Sequence, residues 1–100
     1  MNLPKTDREA VTILLTALAD SGCKFDTVAD EFDIVPVDSV AAAVDSVMAV
    51  DNACVNVTTP QGENGWLYFV LGNDPEEVLC DHTQNMSQYV DPICDSWWDM

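Results

Sequence analysis

Cations are scarce in this chain. Lys and Arg together number 3 against 18 Asp and Glu, which leaves a formal net charge of -15 over 100 residues. Without a basic surface to displace counterions from phosphates, direct nucleic-acid binding is not expected. Histidine occurs once, at His82, and the four cysteines, Cys23, Cys54, Cys80 and Cys94, include no Cys-x-x-Cys pair. Zinc-module spacing is therefore missing. There is no Gly-rich phosphate loop and no Asp-x-Asp-x-Asp-Gly calcium loop. The longest apolar runs fall far short of the ~20 residues that span a bilayer. The opening MNLPKTDREA has no apolar core of a signal peptide. These absences predict a cytoplasmic protein with reduced thiols, without metal, cofactor or membrane contact.

What is present is enough to fold. Hydrophobic residues make up 48% of the chain, with three Trp, three Phe and two Tyr. That apolar content can offset the entropy of ordering, so the acidity belongs to a globular domain and not to a disordered tail. A chain of this length supports one core, and 1–100 is read as a single acidic domain.

The charge is unevenly placed. Lys5, Arg8 and Lys24 are balanced by Asp7, Glu9 and Asp20, so residues 1–24 are electrically neutral, and the other fifteen acids all follow Lys24 without one Lys or Arg among them. Intrachain salt bridges can serve at most three of those acids. The remainder must face solvent or a basic partner.

Periodicity gives the elements. Thr6 and Glu9 form a capping-box pattern, and Val11, Leu14, Leu15 and Leu18 follow at helical spacing up to Gly22. Phe25, Val28 and Phe32 share one helical face, with Asp26, Asp30, Glu31 and Asp33 elsewhere, which predicts a short second helix ended by Pro36. Asp38 is placed to cap a third, with Val40, Ala43, Val44, Val47 and Met48 as its buried stripe. The period then drops to two: Val55 and Val57 alternate with Asn56 and Thr58, PQGENG supplies a turn, and Trp66 to Leu71 is continuously apolar. Val78, Cys80 and His82 alternate with Leu79, Asp81 and Thr83 as a third strand, with a short helix from Pro75 as the competing reading. Met86, Tyr89, Val90, Ile93, Cys94, Trp97 and Trp98 then define a final helix. Pro92 there either kinks it or, with Asp91 as cap, starts a second segment. The expected class is α+β: helices first, a three-stranded antiparallel meander, and a C-terminal helix. The middle strand is apolar on both faces, so one face requires a cover, either the C-terminal helix or a second protein.

In element order, the segment TVADEFDIVPVDSVAAAV followed by a hairpin resembles a winged helix-turn-helix. The resemblance implies that fold for about residues 6–71. It does not carry DNA reading with it, because the recognition-helix position holds Asp38, Asp45 and three alanines instead of groups that meet phosphates and bases.

The acids form three groups: Asp26, Asp30, Glu31 and Asp33; Asp74, Glu76 and Glu77; and Asp91, Asp95 and Asp99, which on a helix would step by ~6 Å like a phosphate track. A partner that neutralises nucleic acid with Lys and Arg could be engaged by such groups, with fast, salt-sensitive association. These clusters on a small aromatic-bearing domain resemble the acidic inhibitors carried by bacteriophages and mobile elements, including DNA-mimic and anti-CRISPR proteins. The resemblance implies a non-enzymatic inhibitor of a basic nucleic-acid-binding complex, acting in the host cytoplasm. Trp97 and Trp98 are added as anchor candidates, since large aromatics dominate interface energetics. The alternative expectation is an assembly protein using an aromatic homodimer or docking face, with the charge serving solubility. For catalysis the residues offer only Cys80-x-His82, whose acidic surroundings would raise the thiol pKa.

Overall fold

The computed structural model describes residues 3–98, with Trp98 described by its backbone alone. Helix α1 (Asp7–Asp20) begins where the sequence places it: the Thr6 hydroxyl accepts a hydrogen bond from the Glu9 amide at 3.1 Å. It ends where Gly22 adopts φ +93°, and the Cys23 amide closes back onto the Leu18 carbonyl at 3.0 Å. Only glycine enters that left-handed region without strain. Ala10, Val11, Leu14, Leu15 and Leu18 are buried along one stripe.

The expected second helix is instead a β-hairpin. Strand β1 (Lys24–Ala29) pairs antiparallel with β2 (Ile34–Pro36), matching Val28 to Val35 and Ala29 to Ile34. The cause is local turn chemistry. The Asp30 carboxylate accepts both the Phe32 and the Asp33 amides at 2.7 Å, and the Asp30 amide donates to the Asp33 carbonyl at 2.9 Å. Such side-chain-to-backbone bonds compete with helix formation, and β-branched Ile34 and Val35 favour the extended alternative. A helix-turn-helix over residues 27–44 is thereby excluded, and the winged-helix reading with it.

Helix α2 (Val40–Met48) is capped by Ser39, one residue later than the sequence suggests, with the Ser39 hydroxyl accepting from the Ala42 amide at 3.1 Å. Strands β3 (Asn52–Thr58) and β4 (Asn64–Val70) form the expected hairpin, in register from Asn52 opposite Val70 to Thr58 opposite Asn64. Both readings of the next segment hold in part, because a 3-10 turn (Pro75–Glu77) leads into β5 (Leu79–His82). Helix α3 (Ser87–Trp98) runs through Pro92 as one helix, so Asp91 does not cap a second segment. Burial of Met86, Val90 and Trp97 against the rest of the core offsets the ~3 kcal/mol that an interior proline costs.

The sheet is five-stranded and antiparallel throughout, in the order β2-β1-β3-β4-β5, wider than the expected three-stranded meander. Its inner face carries Val28, Ala53, Val55, Val57, Leu67 and Phe69, which share one core with the buried residues of all three helices. Helix α3 belongs to that same side. A Cβ on Gly65, opposite buried Val57, would lie 2.7 Å from the Met86 methyl just before the helix, so any larger residue there would require the Met86 side chain to shift. The outer face is left to Thr27, Cys54, Asn56, Trp66, Tyr68 and Val70, all half-buried. The C-terminal helix is therefore not the second cover that the doubly apolar β4 calls for.

Candidate partner-binding surfaces

Two features of this architecture could meet another molecule: the outer sheet face and the acidic segments at the sheet's two edges. On the outer face, Ile34, Ala29, Cys54, Tyr68 and Asp81 form one row of cross-strand neighbours, and Pro36, Thr27, Asn56 and Trp66 form the next. The Asn56 side-chain amide donates to the Thr27 hydroxyl at 3.0 Å, and the Thr58 hydroxyl donates to Asp26 at 2.7 Å. Asp26 is the extra residue where β1 shifts register against β3, so its carboxylate comes from a bulge and not from a helix face.

The acids after Lys24 stand almost without internal counter-charge. Every described one is exposed except Asp30 and Glu76, which are half-buried. Among the described residues a single bridge joins one of them to a Lys or Arg: Arg8 to Asp45 at 2.8 Å, with 57% and 68% of the side-chain surfaces in solvent. A pair that exposed contributes ~1 kcal/mol or less.

The predicted clusters take different forms. Asp30, Glu31 and Asp33 surround Phe32 on the β1–β2 turn, where the Asp33 and Phe32 amides hold the Asp30 carboxyl below its usual range. Beside them a cleft of about 390 Å³ is lined by Asp30, Glu31 and Phe32 from the hairpin and by Ala49, Val50, Asp51 and Asn52 from the segment joining α2 to β3. Asp74, Glu76 and Glu77 gather at the 3-10 turn before β5. Asp91 and Asp95 are exposed one turn apart on α3. The third member of that row, Asp99, lies outside the described residues, as does the side chain of Trp98. Trp97 is 1% exposed and belongs to the core, so its ring is not open to a partner. The helical stripe that suggested an anchor is the stripe that packs α3.

Among the described residues, the most exposed large apolar side chains are ones that the sequence pattern did not single out. Phe32 is 87% exposed, Ile34 71% and Val35 44%. All three lie on the β1–β2 hairpin, and the helical stripe assigned to Phe32 hid them. The Asp30-x-x-Asp33 turn signal followed by a β-branched pair could have revealed the hairpin.

The catalytic pair is not assembled. A register shift at Cys80 places it between Asp81, opposite Tyr68, and Leu79, opposite Phe69, leaving Cys80 exposed while half-buried His82 sits opposite Leu67. The His82 Nδ1 lies 2.7 Å from the Thr83 carbonyl, which can only accept, so neutral His82 presents an unprotonated Nε2 toward Asp91 at 3.6 Å. That contact is attractive only when the ring is protonated. Burial raises the Cys23 and Cys54 thiols, and burial with Asp91 and Asp95 nearby pushes Cys94 up to about 11. Raised thiols are the reverse of an activated nucleophile. Among the described residues no group of three or more His, Cys, Asp or Glu could hold a metal ion, and no helix is long and apolar enough to cross a membrane.

No protein-family model matches the chain, and no curated protein or solved structure matches it either.

Proposed function

We propose that this protein is a non-enzymatic acidic binding module that occupies a basic, nucleic-acid-contacting surface of a partner protein or complex and so inhibits or modulates it. The observation that carries this reading is the run of exposed carboxylates after Lys24, of which only Asp45 has a Lys or Arg partner among the described residues. These carboxylates are held on a hairpin turn, a 3-10 turn and a helix of one folded domain, so the backbone fixes their approximate spacing before binding. They steer a cationic surface toward the protein and repel nucleic acid. DNA mimicry, including anti-CRISPR inhibition by a phage-encoded protein, is the form of this activity that the acidic clusters support.

The test begins with host proteins retained on the immobilised protein and eluted by salt. Each is then assayed for nucleic-acid binding with and without the free protein. Release of the nucleic acid, with an affinity that falls steeply as salt rises, is the expected result. Retention that is insensitive to salt, or nucleic-acid binding left untouched, counts against it.

A second reading has one observation in its favour. The outer sheet face presents half-buried Trp66, Tyr68 and Val70, which among the described residues lie outside the helix-covered core, and this suits an assembly or docking interface. Under that reading Tyr68→Ala abolishes association and charge reversal does not.

A further inference from the structure

We infer that the β1–β2 hairpin and its adjoining cleft form the docking point for an extended segment of a partner that alternates Arg or Lys with apolar side chains. This rests on the charge-recognition reading above and names the surface that would perform it.

Three observations converge here. Among the described residues, the large hydrophobics left exposed, Phe32, Ile34 and Val35, all lie on this one hairpin. Burying apolar surface contributes roughly 25 cal/mol per Å², so such a concentration at one corner has an energetic use only when something covers it. The same corner is acidic, with Asp30, Glu31 and Asp33 on the turn and Asp51 across the cleft. No Lys or Arg exists after Lys24 to neutralise them. A cationic side chain entering the cleft would meet Asp30, Glu31 and Asp51 together with the Phe32 ring, whose face attracts cations, while the apolar residues that alternate to the other side of an extended segment cover Ile34 on the outer face.

The hairpin's outer edge decides how the segment binds. Asp30 pairs with Asp33 by amide-to-carbonyl bonding, and the Val37 amide donates to the Asp26 carbonyl, so Asp33, Val35 and Val37 turn their backbone groups inward to β1. In an antiparallel ladder the alternate residues, Ile34 and Pro36, therefore face outward, and Pro36 has no N–H to offer. The edge presents the Ile34 N–H and carbonyl and little more, which blunts continuous strand addition. Recognition must then come from side chains. A second copy is a poor occupant, since each brings a net charge of -15 and no cation to this edge.

The test uses two synthetic peptides of equal length and charge, one repeating Arg-Leu and the other Arg-Ser, titrated into the isotopically labelled full chain at ~0.1 M salt. The proposal expects the Arg-Leu peptide to bind ~10-fold or more tightly, with amide shifts concentrated in residues 30–35 and 49–52. The double variant Phe32→Ala with Ile34→Ser should bring the Arg-Leu affinity down to that of Arg-Ser and leave Arg-Ser binding unchanged. Its amide dispersion checks that the fold survives. Equal binding of the two peptides, or shifts centred on Trp66 and Tyr68 or on Asp91 and Asp95, would overturn the hairpin assignment while leaving charge recognition standing. Binding of neither peptide would overturn both. A dimer in sedimentation that Ile34→Ser dissociates would assign the hairpin to a second copy instead.

Discussion

The β3–β4 hairpin buries Val55, Val57, Leu67 and Phe69 completely under the helices, whereas the β1–β2 hairpin leaves Phe32 and Ile34 largely, and Val35 partly, in water. Both are antiparallel and belong to one sheet, yet they occupy opposite positions in it, one central and one at the edge. The central pair supplies stability and tolerates little change. In the edge pair, β1 is tied in by β3 and by buried Val28, while the outer strand and the turn carry the exposed apolar side chains, which contribute little to the fold. The contrast separates residues that build the molecule from residues free to meet another one.

Substitutions can break that contrast, and the largest effect should come from the centre. Phe69→Ala should cost ~3–5 kcal/mol in denaturant unfolding, a large part of the ~5–15 kcal/mol typical of a small domain. A cost below ~1 kcal/mol would show that β4 is not the core strand. Gly65→Ala comes next. Its methyl would press on the Met86 side chain at 2.7 Å and the Asn85 side-chain oxygen at 2.9 Å, for an expected loss of ~1–3 kcal/mol in the same assay.

Asp30→Ala should lower the melting temperature by less, by removing the acceptor of two turn amides. Its pH dependence has a definite sign. The carboxyl is held below its unfolded value, so its contribution is present above the unfolded pKa, near ~3.9, and is lost as pH falls through the lower folded value. Wild type and Asp30→Ala should therefore converge in stability in acid. A gap that widens on acidification contradicts this. The smallest effect belongs to Phe32→Ala, which should change stability by no more than ~0.5 kcal/mol, as expected for an exposed site.

The same contrast explains how much was legible in the sequence. Helix α1, the β3–β4 alternation and the apolar stripe of α3 could be read directly, because a buried face imposes its period on the residues that fill it. Ser39 displaces Asp38 as the α2 cap by a single position, a choice between two good capping residues that pattern alone does not decide. The β1–β2 hairpin was misread because an edge hairpin with exposed apolar residues carries no such imprint. Phe25, Val28 and Phe32 fell on a helical face by spacing, while the bonds that settle the matter run from one carboxylate to two amides. The acidic residues were legible as composition but not as geometry. Asp26 sits on a bulge, Asp30 to Asp33 on a turn, and among the described residues only Asp91 and Asp95 keep the expected helical step. Trp97 shows the opposite limit: a large aromatic at helical spacing near a chain end can be an anchor or core, and here it is core.

The function we propose is recognition, by exposed carboxylates that mostly have no Lys or Arg partner, of a basic surface that otherwise holds nucleic acid. Its most direct test is competition: a salt-eluted, nucleic-acid-binding partner is loaded with labelled DNA or RNA, then titrated with wild type and with the Asp30→Lys, Glu31→Lys, Asp33→Lys triple variant. Displacement by the wild type, weakened ~10-fold or more in the folded triple variant and by rising salt, is the predicted result. Equal displacement by both proteins at every salt concentration would contradict it.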